Sequence, residues 1–233
     1  MADTKSEPIR KESPFKKLYL VAYNSALVIA WSLVLLKSAI FLSERKDVGG
    51  LYNEVEYWLK VAQTAAVMEI IHALVGLVKS SVFTTFPQVL SRLGVLWVIL
   101  ESIVMKNHLT HDTIGFPLLL FAWTITEIVR YTFYTNTLLD NLGYTLKWCR
   151  YSLFIALYPM GVAGEIVCIL SAMSVAKKSG QFSVTLPNKF NFSFDFVTSC
   201  YFVLLLYPPG FYFLYSHMLR QRKKVLGTKD KNL

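Results

Sequence analysis

The sequence predicts an all-α membrane protein, a bundle of six transmembrane helices with cytosolic N- and C-termini, and three observations carry that expectation. Hydrophobic residues make up 54% of the 233, and the mean hydropathy is +0.43, which is more apolar surface than a soluble domain of this size can hide. Apolar runs close to the ~20 residues that cross a hydrocarbon core as helix recur along the chain. Lys and Arg gather in alternate connections: five in residues 1–19, two each in 79–92 and 134–150 and six after 216, against two, one and three in 43–56, 106–112 and 174–193. The positive-inside rule places the richer set, with both termini, in the cytosol.

Taken in order, residues 1–19 form a polar, basic tail, since the apolar stretch after them is too long for a signal-peptide core and has no convincing cleavage site. Spans fall at about 20–42, 57–78, 89–105, 113–133, 148–173 and 194–216, and they make one six-helix transmembrane domain over 20–216. The third is short and carries Arg92 and Glu101 near its ends, where long side chains reach the interface. Residues 174–193, with Gly180 and Pro187, form the longest lumenal connection and are expected to fold against the mouth of the bundle. Asn191-Phe192-Ser193 within it is a glycosylation sequon. Residues 217–233 are a basic cytosolic tail, and their last five, Lys229 to Leu233, fit a dilysine retrieval signal of endoplasmic-reticulum membrane proteins.

Several chemistries are excluded or disfavoured. The net charge of +9 sits at chain ends and loop edges rather than along one helix face, so no nucleic acid is expected. Cys149, Cys168 and Cys200 lie in apolar runs without metal-ligand or disulfide spacing. A lone Glu69-x-x-His72 step is half of what a di-metal carboxylate site needs, so a structural hydrogen bond is the favoured reading there. His108 and His111 are read as solvated loop residues, and no metal is expected.

Ionisable groups inside spans are costly and so mark sites. Lys37 and Lys60 lie toward span ends, where snorkelling accounts for them. Glu127 and Arg130 are three residues apart and share a helix face, with Tyr131 beside them; an internal ion pair and a contact to substrate fit equally. Arg150 stands where the fifth span enters the membrane, within reach of a phosphate or a lipid headgroup. In that span Tyr158 precedes Glu165 by seven residues, which at ~100° per residue falls only ~20° short of two turns. Both therefore project from nearly one face, about 10 Å apart along the axis. Gly161 and Gly164 between them leave room for a second helix or a ligand, and Pro159 removes one backbone hydrogen bond. Proton-transfer chemistry on a lipid-like molecule and a packing motif with a polar tyrosine are both open on this evidence.

Three segments carry a family resemblance. AWTITEIVRYTFYT at 122–135, KWCRYSLFIALYPMGVAGE at 147–165 and LPNKFNFSFDF at 186–196 resemble the 3-hydroxyacyl-CoA dehydratases of very-long-chain fatty-acid elongation, also called protein tyrosine phosphatase-like A proteins. The resemblance runs from about residue 18 to 225. It implies dehydration of a (3R)-3-hydroxyacyl-CoA to the trans-2-enoyl-CoA, with Tyr158 and Glu165 catalytic and Arg130 and Arg150 in supporting roles. It also implies no cofactor, and as partners the acyl-CoA, membrane lipid, and the elongase and reductases of the cycle. Glu165 as base and Tyr158 as acid is the natural assignment, although the spacing also allows the reverse. The acyl-CoA headgroup is expected at the basic mouth near Lys147 and Arg150. A phosphatase reading fails because Cys-x5-Arg is absent: Ile155, Ser174 and Leu206 stand six residues after the cysteines. A silent scaffold of the elongase complex and a lipid transporter are the competing classes, and transporter-like repeated halves are not evident.

Overall fold

The structure, a computed structural model, describes residues 13–227 apart from 46–47, 49, 79, 105–112, 181, 185, 188 and 190, and apart from the side chains of 84 and 102–104. His108, His111 and the Lys229–Leu233 signal lie outside the described residues. Among those described the chain is helical, with one isolated antiparallel bridge between Val184 and Phe194. The helices are α1 (Pro14–Arg45), α2 (Leu51–Ala65), α3 (Val67–Leu74), α4 (Val82–Gly94), α5 (Gly115–Leu138), α6 (Tyr144–Ser152), α7 (Phe154–Ser179) and α8 (Phe196–Leu226). A wide π-helical segment, Val95–Val104, continues α4. Helix is thus present around each predicted span, and α1, the joined α6–α7 stretch and α8 are each long and apolar enough to cross a membrane. The run of α5 is interrupted by Glu127 and Arg130, and the second and third helical stretches are each divided in two.

Local chemistry sets the element ends. α1 starts at Pro14, inside the expected polar tail, because proline's fixed φ and missing N–H suit a first helical position. α7 runs six residues past its expected end and stops at Gly180, whose φ of 67° needs no Cβ-bearing residue. The α7–α8 connection then closes on itself. Val184 and Phe194 exchange backbone hydrogen bonds of 2.7 and 2.9 Å, and Asp195 caps α8 by accepting from the Thr198 N–H at 3.0 Å. Asn191 is exposed there with a φ of 47°.

At Ala66 the α2–α3 junction tightens, so that the Glu69 N–H donates to the Ala66 carbonyl rather than to that of Ala65. The Tyr23 hydroxyl donates to the Ala65 carbonyl at 3.0 Å, which gives this half-buried backbone group a partner from another helix.

α5 lies at the centre, packed between α1 and α7, while α2 covers α1 and α8 lies against α6 and α7. Leu27, Trp31, Leu59, Leu96, Leu119, Leu120 and Ile169 fill one continuous core. α8 contributes little to it: Phe202, Leu205 and Tyr212 are 65%, 70% and 75% exposed, an apolar outer face suited to acyl chains.

The α5–α7 crossing is close because of glycine. A Cβ on Gly164 would stand 2.5 Å from the Leu119 backbone nitrogen and 2.8 Å from the Gly115 oxygen, whereas one on Gly161 would meet only the Ala122 side chain at 3.3 Å. Gly161 and Gly164 therefore receive a helix. Gly164→Ala is expected to cost about 3 kcal/mol and to lower the melting temperature of the detergent-solubilised protein by roughly 10 °C. Gly161→Ala should shift it by no more than about a third of that, and equal shifts would contradict this packing.

Candidate active site

Glu165 and Tyr158 both turn from α7 toward α8, as their spacing predicts. Trp123 of α5 donates its indole N–H to Glu165 Oε1 at 3.1 Å, and Tyr207 of α8 donates its hydroxyl to Oε2 at 2.9 Å. Tyr158 stacks on Phe211 and Tyr215, with ring centroids 5.2 and 6.2 Å apart. Tyr207, Phe211 and Tyr215 recur at every fourth residue and so form one stripe of α8 along the α7–α8 seam.

Backbone chemistry supports this seam. Pro159 has no N–H to give to the Ile155 carbonyl, and the Tyr215 hydroxyl takes that carbonyl at 3.4 Å. Pro208 and Pro209 follow Tyr207 directly, so α8 also lacks two helical donors beside the site. Farther along, Arg222 Nε donates to Ser152 Oγ at 3.2 Å and ties α8 to α6.

One turn along α5 from Trp123 lies the second polar cluster. Glu127, 3% exposed, accepts from Arg130 Nε at 3.0 Å and Nη2 at 2.5 Å, and pairs with Arg92 of α4. Arg130 also grips Glu69 of α3 through both terminal nitrogens, at 2.8 and 2.6 Å. The Tyr131 hydroxyl accepts from Arg130 Nη2 at 2.8 Å and donates to Glu69. Two guanidiniums thus neutralise two carboxylates inside the bundle. His72 shares a 2.9 Å hydrogen bond with the Tyr19 hydroxyl, so Glu69 and His72 hold structural bonds, each to a different helix.

The expected Glu127–Arg130 pair is present, and Tyr131 joins it, but this set stands apart from the bonds made to Glu165. Arg150 is half-buried on α6. One expectation is corrected, and three other residues gain partners. Arg92 does not reach outward but turns in to Glu127, and Glu101 accepts from the Tyr52 hydroxyl at 2.5 Å and pairs with Lys60 at 2.7 Å. Lys60 also meets Glu56, and Lys37 meets Glu54 at 2.5 Å, so ion pairing accompanies what snorkelling alone was expected to explain. Trp123, Tyr207, Phe211 and Tyr215 were not singled out in the sequence. The every-fourth-residue aromatic stripe was the signal available for the last three.

The described residues contain no group of three or more His, Cys, Asp or Glu able to hold a metal. Cys168 and Cys200 are buried and Cys149 is half-buried, all as free thiols.

Comparison with known proteins gives a consistent answer. The family described as "Protein tyrosine phosphatase-like protein, PTPLA" matches residues 63–228. The mouse protein named very-long-chain (3R)-3-hydroxyacyl-CoA dehydratase 1 is 45% identical over 89% of this chain and 73% of its own length. The human dehydratase 2 is 40% identical over 94% of this chain and 85% of its own. The rice dehydratase PASTICCINO 2A is 41% identical over 92% and 96%. No solved structure matches. With a family match over most of its length and relatives at 40–45% identity over 89–94% of it, this chain belongs to the protein tyrosine phosphatase-like PTPLA family.

Proposed function

We propose that this protein is a very-long-chain (3R)-3-hydroxyacyl-CoA dehydratase that acts within the membrane of the endoplasmic reticulum. The observation that carries the reading is the placement of Tyr158 and Glu165 on the α8-facing side of one helix, with Glu165 held by Trp123 and Tyr207. That a phenol and a carboxylate face one seam supports acid–base chemistry, and the names of the relatives supply the substrate class.

In the proposed reaction the acyl chain lies along the seam with its thioester between the two groups. Glu165 removes the α-proton, which the thioester carbonyl acidifies, and the C–H electron pair is held as the enolate before it forms the new double bond. The β C–O bond breaks as Tyr158 gives its proton to the departing oxygen, releasing water. Transfer of the proton from Glu165 back to Tyr158 resets the site. Trp123 and Tyr207 position both oxygens of the base, so it meets the substrate in one orientation. Arg130, Glu127 and Tyr131 support the site from behind by fixing α3, α4 and α5. Gly161 supports it by letting α5 approach.

The same reading includes six spans, both termini in the cytosol, and cooperation with the elongase and reductases that supply the hydroxyacyl-CoA and consume the enoyl product. Helix around every predicted apolar run and the excess of Lys and Arg in alternate connections support it. The direct test is purified protein in nanodiscs with a long-chain (3R)-3-hydroxyacyl-CoA. Conversion to the trans-2-enoyl-CoA is expected, and no conversion by a folded preparation would defeat the proposal.

Tyr207→Phe should lower kcat roughly 10–100-fold, the loss of one hydrogen bond to a charged group, with KM changed less than about threefold. As Tyr207 acts through Glu165, the pH–rate profile should shift as well. An unaltered profile with a parallel loss of folded protein would mean a merely structural role.

A further inference from the structure

A cleft of about 460 Å³ opens between α6 and α8, lined by Tyr144, Trp148, Leu219, Arg222, Lys223 and Leu226 together with Gly227. That volume lies inside the roughly 300–1,000 Å³ of small-molecule sites. Its lining carries two cations and no carboxylate, beside two aromatic rings that are 42% and 55% exposed at Trp148 and Tyr144. Arg222 is already braced by its Nε bond to Ser152, which leaves the donors on its terminal nitrogens to face a ligand.

The position of the cleft is as informative as its chemistry. Arg222 continues the α8 stripe of Tyr207, Phe211 and Tyr215 at helical spacing, so cleft and seam lie on one side of α8. From Phe211, level with the proposed reacting atoms, to Lys223 the helix rises ~18 Å. An extended phosphopantetheine arm has the backbone length of about five residues, roughly 17 Å.

We propose that this cleft binds the adenosine bisphosphate end of the acyl-CoA, with its purine against Trp148 and Tyr144 and its phosphates on Arg222 and Lys223, while the pantetheine arm follows the α7–α8 seam to Glu165. The proposal rests on the dehydratase reading and moves the headgroup from the expected Lys147 and Arg150 to neighbouring positions. Arginine suits bidentate phosphate binding and lysine a point charge on the same group. A lipid headgroup offers phosphate chemistry too, but it has no purine for Trp148.

The test uses the full chain in phosphatidylcholine nanodiscs. Adenosine 3′,5′-bisphosphate should bind the unmodified protein, and Lys223→Ala and Trp148→Ala should each weaken binding about tenfold. The same variants should reduce about tenfold the preference, in kcat/KM, for a 3-hydroxyacyl-CoA over the matching 3-hydroxyacyl-pantetheine. Unchanged affinity in both variants, or equal losses on the two thioesters, would overturn the assignment. So would loss of nucleotide binding when part of the lipid is replaced by phosphatidic acid, which would give the cleft to headgroups. Nucleotide binding by a protein that leaves both thioesters intact would uphold the cleft and count against dehydration alone.

Discussion

Glu165→Gln is expected to lower kcat for dehydration about a thousandfold while the protein remains folded. Proton removal by a positioned base contributes roughly 10²–10⁴-fold, and an amide cannot accept the α-proton. The fold survives because the amide keeps both partners: its oxygen accepts from Trp123, and its N–H₂ donates to a Tyr207 hydroxyl that can accept as well as donate. Single-turnover kinetics and a melting curve on one preparation check both halves. Retention of more than about a tenth of the unmodified rate would remove Glu165 from the role of base.

Arg130→Ala should produce the largest loss of stability. Its guanidinium holds Glu69 and Glu127 together, and deleting it leaves two carboxylates in the bundle with Arg92 alone to balance them. Removing one partner of a buried ion pair costs about 3–5 kcal/mol, so the melting temperature should fall by more than about 10 °C. Arg130→Lys should recover part of this, since it keeps the charge but loses the fork that grips Glu69. An unchanged melting temperature with lost activity would instead place Arg130 in contact with substrate.

What could be read from the sequence was local. The apolar runs marked where helix occurs, and the seven-residue step from Tyr158 to Glu165 fixed their shared face because helical rotation alone determines it. Glu127 and Arg130 paired for the same reason. The partners from other helices were hidden. Glu69 and Arg130 are 61 residues apart and Tyr207 and Glu165 are 42 apart, and no local period encodes such contacts. The snorkelling rule misplaced Arg92 because a carboxylate on another helix outweighed the pull of the interface. The break at Ala66 had no sequence mark, since alanine is the best helix former and the carbonyl it frees is satisfied by Tyr23 from α1. Ser13-Pro14, by contrast, is a legible helix start set within a segment whose polar composition reads as a tail.

The division of labour between the two proposed catalytic groups, Tyr158 and Glu165, is open to direct measurement by running the reaction backward. Hydration of a trans-2-enoyl-CoA in D₂O should place one deuterium at the α-carbon in the unmodified protein. Incubating unlabelled 3-hydroxyacyl-CoA in D₂O with each variant then reports α-proton exchange by mass spectrometry. Tyr158→Phe should retain exchange through Glu165 while failing to expel water, and Glu165→Gln should lose exchange altogether. Exchange at the normal rate in Glu165→Gln, or its disappearance only in Tyr158→Phe, would contradict the assignment of the carboxylate as base.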